Sequence, residues 1–222
     1  MFMGRASFGT SHVFLMPAVD FRLYLVTDRH QTAGRPLLSV LRQAVTAGVR
    51  AVQLRERDLP VRALRVLADE LQRELPQAMI FINDRVDLAL ALRAQGVHLR
   101  ESSLPVAVVR GLLRPSQLLG ASVHSIEGAL AAEQQGADFV VLGPIHDTPS
   151  KQQYGAPLGL AVLERAARSV RIPIFAIGGI SAARVRDARQ AGAFGVAVLS
   201  SILSAADVEQ ATTSLLSALE HE

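Results

Sequence analysis

Gln53, Arg55 and Arg57 alternate with Leu54 and Glu56 at the end of an apolar run. In an extended segment their side chains leave one face, and two guanidiniums beside an amide suit a phosphate or diphosphate. The competing reading is a pair of ordinary surface ion pairs with Glu56 and Asp58. A second phosphate candidate is Ile177-Gly178-Gly179-Ile180-Ser181, which leads into a helix predicted to begin near Ala182. Exposed backbone N–H groups at a helix N-terminus favour an anion, although a Gly-Gly pair alone also makes a tight corner. His124 follows Ser122 by two, which puts both on one side of an extended segment, and histidine is the side chain that moves protons near neutral pH. His98 and His146 are less specific, and for His98 a structural role is favoured. Lys151 closes a loop containing Thr148 and Ser150 and is the only lysine, so 22 of the 23 basic residues are arginine. One compact, titratable ammonium in a chain that otherwise uses arginine marks Lys151 as a ligand-facing candidate.

These residues need elements to hold them. From Arg22 onward, short β-branched apolar runs alternate with Ala/Leu/Arg-rich amphipathic stretches, the pattern of repeated strand–helix units in a parallel sheet. Eight strands are expected, at Leu23–Thr27, Ala51–Arg55, Met79–Asn83, Val97–Leu99, Leu119–Val123, Phe139–Gly143, Ile174–Ile177 and Gly195–Leu199. Helices are expected between them, for instance over Val61–Glu74 and Ala161–Ala167. Gly48, Gly96, Gly136 and Gly192 stand between a helix and the next strand, where a left-handed cap suits glycine. Eight such units predict an α/β fold, a single-domain (β/α)8 TIM barrel over residues 21–222, preceded by an extension over residues 1–20. An open doubly wound sheet is the alternative, but no Gly-x-Gly-x-x-Gly follows the first strand. In a barrel the chemistry sits where the strands end, and phosphates are often held by the loops after strands 7 and 8, which places Ser200 and Ser201 beside Gly178 and Gly179.

Composition narrows the function classes. Half of the 222 residues are hydrophobic, 19% are charged, and the formal charge of +3 is spread without basic runs, so no nucleic-acid groove is expected. The absence of cysteine excludes disulfides, thiolate metal sites and cysteine catalysis, and fits a cytoplasmic location. No apolar run is long enough for a membrane span, and residues 1–20 lack a continuous apolar segment with a cleavage site, so neither a membrane partner nor a signal peptide is expected.

Taken in order, seven segments resemble the family that joins thiamine phosphate synthase and thiazole tautomerase, (β/α)8 barrels of vitamin B1 synthesis. They are Leu23-Tyr24-Leu25-Val26-Thr27-Asp28, Gln53-Leu54-Arg55-Glu56-Arg57, Ile82-Asn83-Asp84-Arg85-Val86-Asp87-Leu88-Ala89, Gly96-Val97-His98-Leu99, Ser122-Val123-His124-Ser125, Gly143-Pro144-Ile145 with Thr148-Pro149-Ser150-Lys151, and Ala176-Ile177-Gly178-Gly179-Ile180. For the synthase, the resemblance implies that Gln53, Arg55, a lysine at 57, Asn83 and Lys151 hold the diphosphate of an aminopyrimidine substrate. It further implies that Asp84 and an aspartate at 103 hold Mg2+. Here those two positions are Arg57 and Ser103, and Glu101, two residues away in the loop, is the candidate substitute carboxylate. Both departures resemble the tautomerase branch, which works without a metal and uses the strand 5 histidine as acid and base. The expectation is therefore a tautomerase-like aromatisation of a thiazole carboxylate phosphate, with no cofactor and with His124, Lys151 and Arg55 catalytic. The alternative is a thiamine phosphate synthase with Mg2+ on Asp84, and the third reading is a non-catalytic thiazole-phosphate-binding regulator. Small molecules are the expected partners, and a homodimer is a candidate assembly.

Overall fold

The computed structural model describes residues 19–148 and 156–220. Eight parallel strands close on one another in sequence order: β1 (Leu23–Val26), β2 (Ala51–Leu54), β3 (Met79–Asn83), β4 (Gly96–Leu99), β5 (Leu118–Val123), β6 (Phe139–Leu142), β7 (Ile174–Ile177) and β8 (Gly195–Val198). The barrel is sealed by pairing of β8 with β1, Val198 lying opposite Leu25. Each strand lies within a residue or two of its expected place. The helices between them are α1 (Leu37–Thr46), α2 (Val61–Glu74), α3 (Val86–Ala91), α4 (Val106–Leu112), α5 (Ile126–Gln134), α6 (Gly159–Ser169) and α7 (Ala182–Gln190), with α8 (Ser200–Leu203) and α9 (Val208–Glu220) after β8. The expected helix at 61–74 is reproduced, and the one at 161–167 is longer by two residues at each end.

Alternation along the strands divides the apolar residues into two bodies. Outward residues such as Leu25, Val52, Ile80, Val97 and Val140 pack under helix residues such as Leu41, Leu71 and Leu163. Inward residues form a second cluster in which Tyr24, Phe81, Phe139 and Phe175 meet Phe21 across ring separations of 5.2–5.7 Å. Four large rings fit because other strands offer glycine at the facing positions. A Cβ on Gly96 would lie 2.5 Å from the Phe81 ring, and one on Gly120 would lie 2.4 Å from Phe139.

That geometry corrects the expectation for Gly96. Gly48, Gly136 and Gly192 do take left-handed φ values, of +116°, +94° and +91°. Before β4 the left-handed residue is Arg93, with φ +52°, and Gly96 is required for close approach to Phe81 instead. Of the expected extension, residues 1–18 lie outside the described residues, while Asp20 pairs with Arg50 at 2.8 Å and Phe21 already belongs to the aromatic floor.

Candidate active site

All eight strands point the same way, so their C-terminal ends make one rim. Below that rim lies a polar layer: Tyr24 from β1, Gln53 from β2, His98 from β4 and Ser122 from β5. His98 Nε2 and Ser122 Oγ are 2.9 Å apart, His98 Nδ1 is 3.5 Å from the Tyr24 hydroxyl, and Gln53 Nε2 donates to the same hydroxyl at 3.4 Å. Burial, helped by the positive charge of Arg55, pushes the His98 pKa down to about 3, so this ring is neutral near pH 7. His98 thus takes the structural role favoured for it. Ser122 is turned to His98, and Gln53 is 3% exposed, at the floor of the site.

Above this layer the end of β2 sorts its charges. Glu56 is buried and fully used: Thr27 Oγ1 donates to its Oε1 at 2.6 Å, and the Arg29 backbone N–H and Nη1 donate to its Oε2 at 3.1 and 3.2 Å. Asp58 accepts from Arg29 Nη1 and Nη2 at 2.6 and 2.5 Å and lies 3.0 Å from His30 Nε2. Arg29, which had no assigned role, therefore takes both carboxylates that the competing reading gave to Arg55 and Arg57. Neither Arg55 nor Arg57 makes an ion pair among the described residues. The Arg55 pKa is lowered, first by burial and then by the neighbouring Arg57, with Arg100 adding to the effect. Asp28 and Glu56 oppose that shift without forming an ion pair with Arg55, so the cations crowded here remain open to an anion.

Asn83 ends β3, and Asp84 follows in a left-handed conformation, φ +64°. The Asp84 carboxylate is occupied: Arg100 Nη2 donates to Oδ2 and the Ser103 hydroxyl donates to Oδ1. In the synthase reading Asp84 holds Mg2+, and here both of its oxygens are already engaged. Each oxygen already has a donor, one of them a guanidinium, and among the described residues no three His, Cys, Asp or Glu side chains gather as a metal site. Glu101 is exposed and belongs to no such cluster among the described residues. The chain as it stands does not fit the ion. The guanidinium beside Asp84 comes from Arg100, which stands directly after the last residue of β4.

His124 lies just past β5, exposed, with its Nδ1 2.5 Å from the Gly143 carbonyl oxygen. A carbonyl only accepts, so Nδ1 carries the proton and, in the neutral ring, Nε2 is the basic nitrogen. His124 and Ser122 share a parity, but their polar partners differ.

The β7 end forms the turn predicted for an anion: Gly178 and Gly179 have φ +98° and +64°, and α7 starts at Ala182 without a side-chain cap from Ser181. Arg184 Nη1 donates to the Gly179 carbonyl at 2.8 Å, adding a cation beside the turn that the sequence reading did not name. His146, on the loop after β6, has its pKa lowered by burial and then by Arg184. Ser200 is exposed at the start of α8, whereas Ser201 spends its hydroxyl on the Ile180 carbonyl at 2.5 Å and so braces the turn. Thr148 is in the described part of the β6 loop; Ser150 and Lys151 lie outside the described residues.

Comparison with known proteins places the arrangement. The family model described as thiamine monophosphate synthase matches residues 23–202. A relative in Geobacter sulfurreducens is 49% identical over 206 residues, covering 92% of this chain and 97% of its own, and its name assigns it thiamine-phosphate synthase activity provisionally. The thiamine-phosphate synthase of Desulfitobacterium hafniense is 44% identical over 193 residues, 86% of this chain and 93% of its own. The solved structure of a thiamine phosphate pyrophosphorylase from Pyrococcus furiosus superposes with a TM-score of 0.80 at 36% identity, over 90% of this chain and 95% of that one. The family model and the two sequence relatives carry the synthase name, so the comparisons favour the reading held as the alternative over the tautomerase reading placed first.

Proposed function

The chain belongs to the thiamine monophosphate synthase family, whose relatives are transferases of thiamine biosynthesis, and from that premise we propose that it joins an aminopyrimidine diphosphate to a thiazole phosphate. The observation that carries the reading is the freeing of Arg55 and Arg57: Arg29 and Thr27 hold Glu56, and Arg29 and His30 hold Asp58. Two guanidiniums that form no ion pair among the described residues, at a barrel rim, suit a diphosphate better than a proton shift requires.

In this reaction the bond between the pyrimidine methylene carbon and the diphosphate oxygen breaks, and its electron pair leaves with the diphosphate. The lone pair of the thiazole nitrogen then forms the new C–N bond. Arg55 and Arg57 bind the diphosphate and stabilise the charge that grows on it as it departs, with Lys151 as a third cation. Gln53 and Asn83 orient it from the floor and the β3 end. The thiazole phosphate sits at Gly178, Gly179 and Ser200, with its charge toward the start of α7. Synthase chemistry in this family is consistent with Mg2+, but the Asp84 environment does not fit that ion, so no step here depends on it.

A product assay tests the reading. Purified protein given both substrates should release diphosphate and thiamine phosphate in equal amounts. Conversion of thiazole carboxylate phosphate to its aromatic tautomer, with no coupling, would instead establish the proton-transfer reading centred on His124. Binding of thiazole phosphate without turnover of either substrate set would make the chain a binder.

A further inference from the structure

Asp84, Arg100 and Ser103 form a closed unit at the ends of β3 and β4. Ser103 Oγ accepts from the Arg100 backbone N–H at 2.8 Å while its hydroxyl donates to Asp84, and Arg100 Nη2 donates to the other Asp84 oxygen. An aspartate at 103 could not donate to Asp84 without first taking up a proton, so serine suits a site in which a guanidinium neutralises the one carboxylate. The charges agree: one carboxylate with one guanidinium sums to zero, as do two carboxylates with a divalent cation.

We propose that Arg100 stands in for the divalent cation in this chain, so that Arg55, Arg57 and Arg100 hold the substrate's diphosphate without Mg2+. Arg100 retains capacity for an anion. Its Nη2 is engaged by Asp84 and its Nε is buried without a partner, but Nη1 has no hydrogen-bond partner among the described residues and the side chain is 39% exposed. A guanidinium carries five donors in a fixed fork, so it is able to bridge a carboxylate and a phosphate oxygen much as a bound cation does. Arg55 and Arg57 follow β2 and Arg100 follows β4, on one rim with Asp84 at the end of β3 between them, and the charges of Arg57 and Arg100 both bear on Arg55 against the pull of Asp28 and Glu56. The inference rests on the synthase reading, which supplies the diphosphate.

Inorganic pyrophosphate is the probe, titrated calorimetrically into the full chain in EDTA and again with excess magnesium chloride. The wild type should bind in EDTA, and magnesium should not tighten binding. Arg100→Gln, which keeps a hydrogen-bond donor for Asp84 and removes the charge, should weaken metal-free binding by about tenfold or more. The double variant Arg100→Gly/Ser103→Asp, its folding checked by circular dichroism, should bind pyrophosphate only with magnesium. Wild-type binding that appears only when magnesium is added would overturn the inference and leave the synthase reading intact, as would unchanged affinity in folded Arg100→Gln. A protein that binds pyrophosphate in EDTA yet forms no thiamine phosphate in either buffer would overturn the synthase reading, and with it the role of Arg100 on a leaving group.

Discussion

At the scale of single residues, the end of β2 shows how charge is assigned by neighbours that a linear reading does not see. Arg55-Glu56-Arg57-Asp58 reads equally well as two local ion pairs or as a cationic face. Arg29 decides between them from 26 to 29 positions upstream, by drawing Glu56 and Asp58 away. With Arg55 held in no ion pair among the described residues, Arg55→Ala should lower kcat/KM for thiamine phosphate formation by about 10²-fold or more and weaken pyrophosphate binding, with little loss of stability. Loss of folding instead, seen by circular dichroism, would mean that Arg55 is structural. His124 gives the contrasting prediction. In a coupling reaction the leaving diphosphate needs positive charge more than it needs a proton carrier, so His124→Asn should reduce turnover by less than about tenfold, far less than Arg55→Ala. A fall of about 10²-fold in His124→Asn, with affinity unchanged, would return the chemistry to β5. Residue types and order exposed Gln53, Arg55, Arg57, His124 and the Gly178-Gly179 turn in the sequence. Arg29 and Arg100 stayed hidden, because in a chain with 22 arginines neither type nor spacing distinguishes a bridging guanidinium from a solvated one.

At the scale of elements, the barrel was legible because alternation of period 2 and apolar stripes of period 3.6 succeed one another eight times, and parallel strands joined by helices have few other closed arrangements. Less legible was which glycines serve turns and which serve packing. Gly96 looks like a helix cap in the sequence and is a packing glycine in the barrel, since its partner Phe81 is 15 positions away across a strand pair. Gly96→Ala should therefore cost about 1–3 kcal/mol, because the new methyl meets both the Phe81 ring and the Leu118 carbonyl, at 2.5 and 2.6 Å. Chemical denaturation of Gly96→Ala beside Gly96→Ala/Phe81→Leu measures it: the smaller side chain should make the two changes non-additive, and strict additivity would show that the two positions do not press on each other. Gly179 differs in kind. A Cβ there would lie 2.7 Å from the Asp147 carbonyl, on a backbone with φ +64°, so Gly179→Ala should disturb the β6 and β7 loops together and weaken thiazole phosphate binding with only a modest loss of stability. Unchanged affinity in a folded Gly179→Ala would remove the phosphate from this turn.

At the scale of the whole molecule, closing eight strands buries His98 in the centre of the barrel, and that makes global stability depend on pH. In the unfolded chain a histidine takes up its proton near pH 6.5, whereas the folded ring resists protonation down to about 3, chiefly because it is desolvated. Its folded pKa is depressed, so its contribution is fully present above pH 6.5 and is lost as pH falls toward 3, the window in which the unfolded state binds more protons. The half-buried His146 shifts in the same direction and adds to the slope. Asp58 and Asp87, held low by Arg29 and Arg85, act the same way but only once the pH reaches the ordinary carboxylate range, while Asp138, raised by burial, opposes the loss, so the fall in the upper part of the window is set by the histidines. Urea unfolding at pH 7 and at pH 4.5 separates the contributions. The wild type should lose roughly 2 kcal/mol across that interval, and His98→Gln, whatever its own stability, should lose much less. An equal loss in both proteins would mean that the ring beside Ser122 accepts its proton as readily in the folded barrel as in the open chain.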